Sequence, residues 1–180
     1  GAFQTTYNAP QSAFLAVLGP DGSSLAYSSF YSGGGGSSGS SILLGSDGKP
    51  VLVGAAGPGL PTTAGSYKPT LASGTAAFAA RFDLAAAGAA QLVAASYYGT
   101  DSPQANNALQ GNTANAAALA ADGSIWFTGQ AYTTNLPTTA SAVQPPPTGL
   151  DAVCVPGPGP LNSFAYVARL SADLRGLTYA

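Results

Sequence analysis

A stretch at residues 121–139, ADGSIWFTGQAYTTNLPTT, returns in degenerate form at residues 46–63 as SDGKPVLVGAAGPGLPTT. Both copies hold an Asp-Gly pair, a short apolar run, a glycine exit and an LPTT tail. A repeat constrains a fold more tightly than composition does. Every copy must satisfy one local structure, and neighbouring copies must bury each other's apolar faces. The rest of the chain divides into further blocks around this pair.

The first block is an alternating strand with three copies: AFLAVL (13–18), AFAARF (77–82) and AYVARL (165–170). Side chains alternate between the faces of a strand. One face therefore reads Phe14, Ala16, Leu18, then Phe78, Ala80, Phe82, then Tyr166, Ala168, Leu170: large, Ala, large each time. The second block follows turns at GPDGSS, DLAAAG and SADLRG, and it comprises LAYSSFYSG (25–33), LVAASYYG (92–99) and LTYA (177–180). The third is a hairpin, SILLGSDGKPVLVG (41–54) and AAALAADGSIWFTG (116–129), whose Asp-Gly pairs are strong two-residue turn signals. The fourth is the proline-set tail, LPTTAGSYKPT (60–70) and LPTTASAVQPP (136–146), with GAFQTT (1–6) as a further copy of its end.

The unit order is thus third block, tail, first block, second block, which makes four antiparallel strands per unit. The copies differ in length through loops: GGGGSSGS (33–40) against TDSPQANNALQGNTAN (100–115), and an insertion at 144–163. Neither insertion has helical periodicity, so both read as exposed loops. Residues 76–95 are Ala-rich and would suit a helix by propensity. The equivalent stretches around Phe14 and Tyr166 are not Ala-rich, so the shared reading is strand. Near-continuous apolar runs such as VLVG predict sheets covered on both faces, with Ala set opposite large neighbours. That pattern predicts an all-β fold: a β-propeller-like arc of four-stranded antiparallel blades, incomplete within these residues.

The blocks resemble the SBBP-type β-propeller repeat of bacterial surface and secreted proteins. The resemblance is carried by Asp122-Gly123, the strand IWFTG (125–129), the TNLPTT tail (134–139), ASAVQ (140–144), the AYVARL strand and SSFYSG (28–33). It implies a partial blade over 1–33, a full blade over 41–99 and a nearly full blade over 116–180. It also implies a non-catalytic extracellular or cell-surface scaffold that meets further blades. Two departures are visible. Where the family carries acids after its YLGG-type strand end, this chain has GGGGSSGSS or Asp101 alone. The family's lysine in the first-block strand is Val17, Arg81 or Arg169 here.

Only 7% of the residues are charged and the formal net charge is −2. Five basic residues, Lys49, Lys68, Arg81, Arg169 and Arg175, cannot form the basic patch that nucleic acid requires. No apolar run reaches the length of a membrane-spanning helix. The chain opens GAFQTTYN, with neither initiator Met nor signal-peptide pattern, which reads as a mature or excised segment. The single Cys154 leaves no internal disulfide.

Catalytic chemistry finds few footholds. There is no His, which removes the common general base and the Ser-His triads. All seven acids are Asp, and Asp21, Asp47, Asp83, Asp122 and Asp173 sit at turns. Asp101 and Asp151 remain as candidates for calcium, without clustered spacing. The Gly-rich run 33–39 lacks a phosphate loop's Lys-Ser/Thr end and following helix, so it reads as a flexible link. Trp126 aligns with Leu52 and is expected to pack in a core strand. The pairs Phe30-Tyr31 and Tyr97-Tyr98 are expected to pack at strand ends. No catalytic, cofactor or metal residue is assigned, and Cys154 has no evident role. Any protein or glycan partner is expected at loops 100–115 and 144–163. Two other readings remain: a glycan-binding module using Trp126 or the tyrosine pairs, and part of a secreted polysaccharide-active propeller enzyme whose site lies elsewhere.

Overall fold

The computed structural model describes residues 1–7, 9–101, 111–133, 135–145 and 163–180. Within them the chain is all-β. Its strands are β1 (Ala13–Leu18), β2 (Leu25–Tyr31), β3 (Ser37–Leu44), β4 (Pro50–Ala56), β5 (Ala76–Phe82), β6 (Leu92–Tyr98), β7 (Asn112–Leu119), β8 (Ile125–Ala131), β9 (Phe164–Leu170) and β10 (Leu177–Tyr179). They form three antiparallel sheets, none closed on itself: β1-β2, then β3-β4-β5-β6, then β7-β8-β9-β10. The four-strand unit read from the repeats is therefore one meandering sheet. The helical alternative for 76–95 reduces to a single 3-10 turn, Gly88–Gln91.

The middle sheet lies between the other two. Leu52, Ala56, Phe78, Ala80, Phe82, Ala95 and Tyr97 pack with Ala13, Leu15 and Tyr31 of the first sheet. On its opposite face, Val51, Val53, Ala77, Ala79, Ala94 and Tyr98 pack with Ile125, Phe127, Tyr166, Ala168 and Leu170 of the third. All seven residues of β4 are consequently buried. Strand β8, covered on one face only, alternates buried with more exposed residues. In each sheet the large-Ala-large face of the first block looks toward the preceding sheet. For the first sheet no other described sheet covers that face, and Phe14 and Leu18 are 65% and 60% exposed.

Local chemistry explains the turns. Asp21, Asp47 and Asp122 each accept a hydrogen bond from the backbone N–H two residues on. The following Gly22, Gly48 and Gly123 take φ of 72°, 75° and 78°, the region where glycine carries no steric penalty. Leu174 holds the corresponding place after Asp173 with φ 59°. It is fully buried between the middle and third sheets, and that apolar burial offsets the strain.

Two sequence expectations need correction. Residues 33–40 are not a loose link. Gly35 N–H bonds the Pro58 carbonyl at 2.9 Å, and Gly57 N–H bonds the Gly36 carbonyl at 3.0 Å. A side chain at Gly33 would collide with the Gly59 backbone. The run is a backbone-to-backbone seam that continues the β3–β4 pairing past Ser37 and Ala56 within the middle sheet, and β3 starts inside it. Trp126 also sits one position away from the Leu52 equivalence read above. Trp126 pairs with Arg169 as Val51 pairs with Arg81, while Phe127 takes the place of Leu52. Counting from the Asp-Gly pairs gives the same answer, because the blocks 41–54 and 116–129 are of equal length.

The glycine exits have a defined cause. Each hairpin has an irregularity at the same point, between Gly39 and Ser41 and between Ala114 and Ala116. A Cβ at Gly54 or Gly129 would strike the Ser38 or Thr113 carbonyl oxygen. Phe78 and Tyr166 stand opposite these glycines across the sheet. Gly129→Ala is accordingly expected to destabilise the chain by on the order of 3 kcal/mol, whereas Gly48→Ala, which meets open space, costs about 1 kcal/mol. Urea unfolding of the two variants measures the difference, and equal losses would refute the steric account.

Candidate functional site

The most organised polar feature is a clasp between successive units. Tyr31, at the end of β2, donates its hydroxyl to the Pro61 carbonyl of the next LPTT tail at 2.6 Å. Tyr98, at the end of β6, does the same to Pro137 at 3.0 Å. The preceding aromatic differs. Tyr97 donates to the Gly57 carbonyl and accepts from Leu60 N–H, each at 2.8 Å, within its own unit. Burial pushes the hydroxyls of Tyr31 and Tyr98 well above their ordinary pKa, with Tyr67 adding to the effect at Tyr98. The strand-end packing expected of these pairs is thus present, with Tyr31 and Tyr98 fully inside the interfaces. Sequence reasoning missed their polar role. Its signal was the co-occurrence of a second-position Tyr with LPTT in the following unit.

The tails also edge the sheets. Tyr97 N–H bonds the Lys68 carbonyl, and Lys68 N–H bonds Ser96 Oγ at 2.9 Å. Phe30 N–H and Ser29 Oγ make the same pair of bonds with Gln4. The tail therefore runs beside β6 and β2 as an extra edge segment.

The acids are occupied by structure. In Asp21, Asp122 and Asp173 hydrogen bonds from Ser23, Ser124 and Ser171 hydroxyls hold the carboxyl below its ordinary value. In Asp83 the Ala85 N–H does so. Arg169 reaches both Asp122 and Ser124 of the turn in its own sheet. Its counterpart Arg81 lies 3.8 Å from Asp47 and also donates to the Gly123 carbonyl of the third sheet at 2.9 Å. The basic residue of the first-block strand thus ties down the Asp-Gly turn. Asp101 accepts from Ala72 N–H at 2.9 Å and pairs with Lys68 at 3.4 Å. Among the described residues no group of three metal-ligating side chains exists. Asp151 and Cys154 lie outside the described residues, as do 102–110 and 146–162 of the two inserted loops. No described helix is long and apolar enough to cross a membrane.

Trp126 faces outward from the third sheet. Its ring lies 5.5 Å from that of Tyr179, and the Arg169 guanidinium stands 5.3 Å from its centroid. The described residues also form two concavities that Trp126 does not line. A cleft of about 350 Å³ opens between β9 and the third tail, lined by Val143, Gln144, Phe164, Ala165, Tyr166 and Val167 among others. A shallower groove of about 440 Å³ follows β1 on the side away from β2, floored by Ile42 and Leu52. The chain matches no protein-family model and no curated protein.

Tyr98→Phe removes one buried donor and is expected to cost about 1–2 kcal/mol, and Tyr97→Phe more, because it frees two backbone partners. Tyr7→Phe, at a half-exposed ring, is the neutral control in the same urea titration. The turn carboxylates set the acid limit. Their folded pKa values lie below the ordinary 3.8. The stability they add is therefore complete above the ordinary value and lost as pH falls through the depressed folded one. The melting midpoint should hold level from neutral pH to about pH 5 and drop below about pH 4. A midpoint that rises on acidification would contradict this.

Proposed function

We propose that the chain is part of an extracellular β-propeller that serves as a non-catalytic structural and interaction scaffold. The observation that carries this reading is the repetition of one interface. The first and middle sheets meet as the middle and third do, in the same orientation and with the same tyrosine-to-proline clasp. Repeated stacking in one orientation is how propeller blades are added. The uncovered face of Phe14, Ala16 and Leu18 repeats the pattern that is buried in the other two copies, so it fits one more repeat of the same kind. The described aspartates are committed to turns and ion pairs, which supports a scaffold over an enzyme.

Sedimentation tests the scaffold reading directly. Concentration-dependent association is expected for the chain, because an uncovered apolar face of this kind seeks a partner. The double variant Phe14→Glu, Leu18→Glu should remain folded and lose that association. Reproducible turnover of polysaccharide, peptide or ester substrates by the chain would overturn the non-catalytic reading.

A second reading rests on Trp126, half-buried on the outward face beside Tyr179 and Arg169. Such a platform suits a sugar ring. Titration with polysaccharides should then quench the single Trp, and a flat response removes this option.

A further inference from the structure

The two interfaces of the middle sheet differ in chemistry at one matched position. Val17 and Arg81 hold the same place in the first block. Tyr27 pairs with Val17 and Ala94 with Arg81, so Ala94 stands where Tyr27 stands. The turns align in the same way. Asp83 N–H bonds the Gln91 carbonyl at 2.8 Å, and Ser171 N–H bonds the Gly176 carbonyl at 2.9 Å, so Gly176 stands where Gln91 stands. The longer connection of the middle sheet ends in the 3-10 turn Gly88–Gln91, which brings the Gln91 side chain to the first sheet. There Tyr27 donates its hydroxyl to Gln91 Oε1 at 2.8 Å. Gln91 Nε2 donates to the Gly1 carbonyl at 2.6 Å and to the Ala86 carbonyl at 3.0 Å. The amide is fully buried, with oxygen and nitrogen both engaged. The second interface is apolar at this position. Ala94 and Leu174 are buried in one cluster between the middle and third sheets. Gly176 offers no side chain, and Leu174, two residues earlier, points into the interface instead.

We propose that this position is a recognition pair that makes the two interfaces non-interchangeable: Tyr27 selects a sheet whose turn presents an amide, and Ala94 selects one whose turn presents a branched apolar side chain. Exchanged partners fit badly in both directions. Tyr27 against Leu174 crowds two large side chains and leaves a hydroxyl with no acceptor. Gln91 against Ala94 leaves a buried amide oxygen with no donor. Repeats that share one packing pattern are prone to exchanging elements between copies. A wrong partner is refused through a clash or an unpaired polar group. The clasp cannot discriminate in this way, because Tyr31 and Tyr98 make the same bond to Pro61 and Pro137. The partner refused is therefore a sheet from a second copy of this chain. The inference stands on the difference between the two interfaces and does not require the scaffold reading.

Two measurements test the pair. Urea unfolding of Tyr27→Phe, Gln91→Met and the double variant reads the coupling. Each single change should lower the folded-to-unfolded ratio about tenfold. The double variant should lose several-fold less than the product of the two, because no polar atom of the pair is left unmatched. Exchange is read by refolding an equal mixture of donor- and acceptor-labelled chains at high concentration. The mixture is then diluted, so that only copies that have exchanged sheets keep their energy transfer. The wild type should show little transfer and the double variant several-fold more. Tyr27→Phe alone, a conservative change, removes one of the two mismatches and should already raise it. Additive losses in the unfolding series would overturn the pairing, and transfer equal to wild type in both Tyr27→Phe and the double variant would overturn the discrimination. Reversible association through the Phe14 face disappears on dilution, so failure of the scaffold reading and failure of this one are distinguishable.

Discussion

The structure depends on the need to bury the middle sheet on both faces. Strands β4 and β5 expose almost no polar side chain on either side, so they cannot exist as one layer of a two-layer fold. Each flanking sheet supplies a cover, and among the described residues each keeps one face that no other sheet covers. The clasp follows from the same demand. Closing two sheets over the ends of β2 and β6 buries a tyrosine hydroxyl, and a buried hydroxyl without a partner is costly. The proline carbonyl is free to accept because the tail, fixed by Pro61 or Pro137, runs along the interface outside the ladder.

The strands lie head to tail, so the two ends of the stack differ. The tight turns at Asp21, Asp47, Asp83, Asp122 and Asp173 fall at one end. The tails, the sheet-to-sheet crossing after β2 and the described ends of both long insertions fall at the other. Arginine contacts reinforce the turn end: Arg81 ties Asp47 to the turn of the next sheet. The end with the insertions holds the cleft and the glycine seam. The turn end varies less, although its β5–β6 connection spans 83–91 with a 3-10 turn where 19–24 and 171–176 serve the other two units.

Much of this was legible in the sequence. The strand blocks at 13–18, 77–82 and 165–170 match β1, β5 and β9 to within a residue, because a period of two with fixed large-Ala-large spacing leaves little freedom. The Asp-Gly turns were equally plain. Three things were missed, each for a physical reason. The bulges at Gly39–Ser41 and Ala114–Ala116 let β3 and β7 start earlier than periodicity indicates, since a bulge breaks the alternation that marks a strand. Trp126 was misplaced because the apolar run IWFTG by itself gives no sign of which face is covered; the count from the Asp-Gly pairs does. The Gly-rich run at 33–36 looked flexible, since composition does not distinguish glycine used for freedom from glycine used for close approach.

The clasp also has a direction in time. The donor tyrosine always belongs to the earlier unit and the accepting proline to the later one. A chain emerging from its N-terminus makes Tyr31 well before Pro61, and Tyr98 well before Pro137. Until the later tail arrives, the donor must stay in water or wait unpaired beneath an incomplete interface. Each unit therefore reaches its final packing only after its successor has been made, and folding trails synthesis by one repeat.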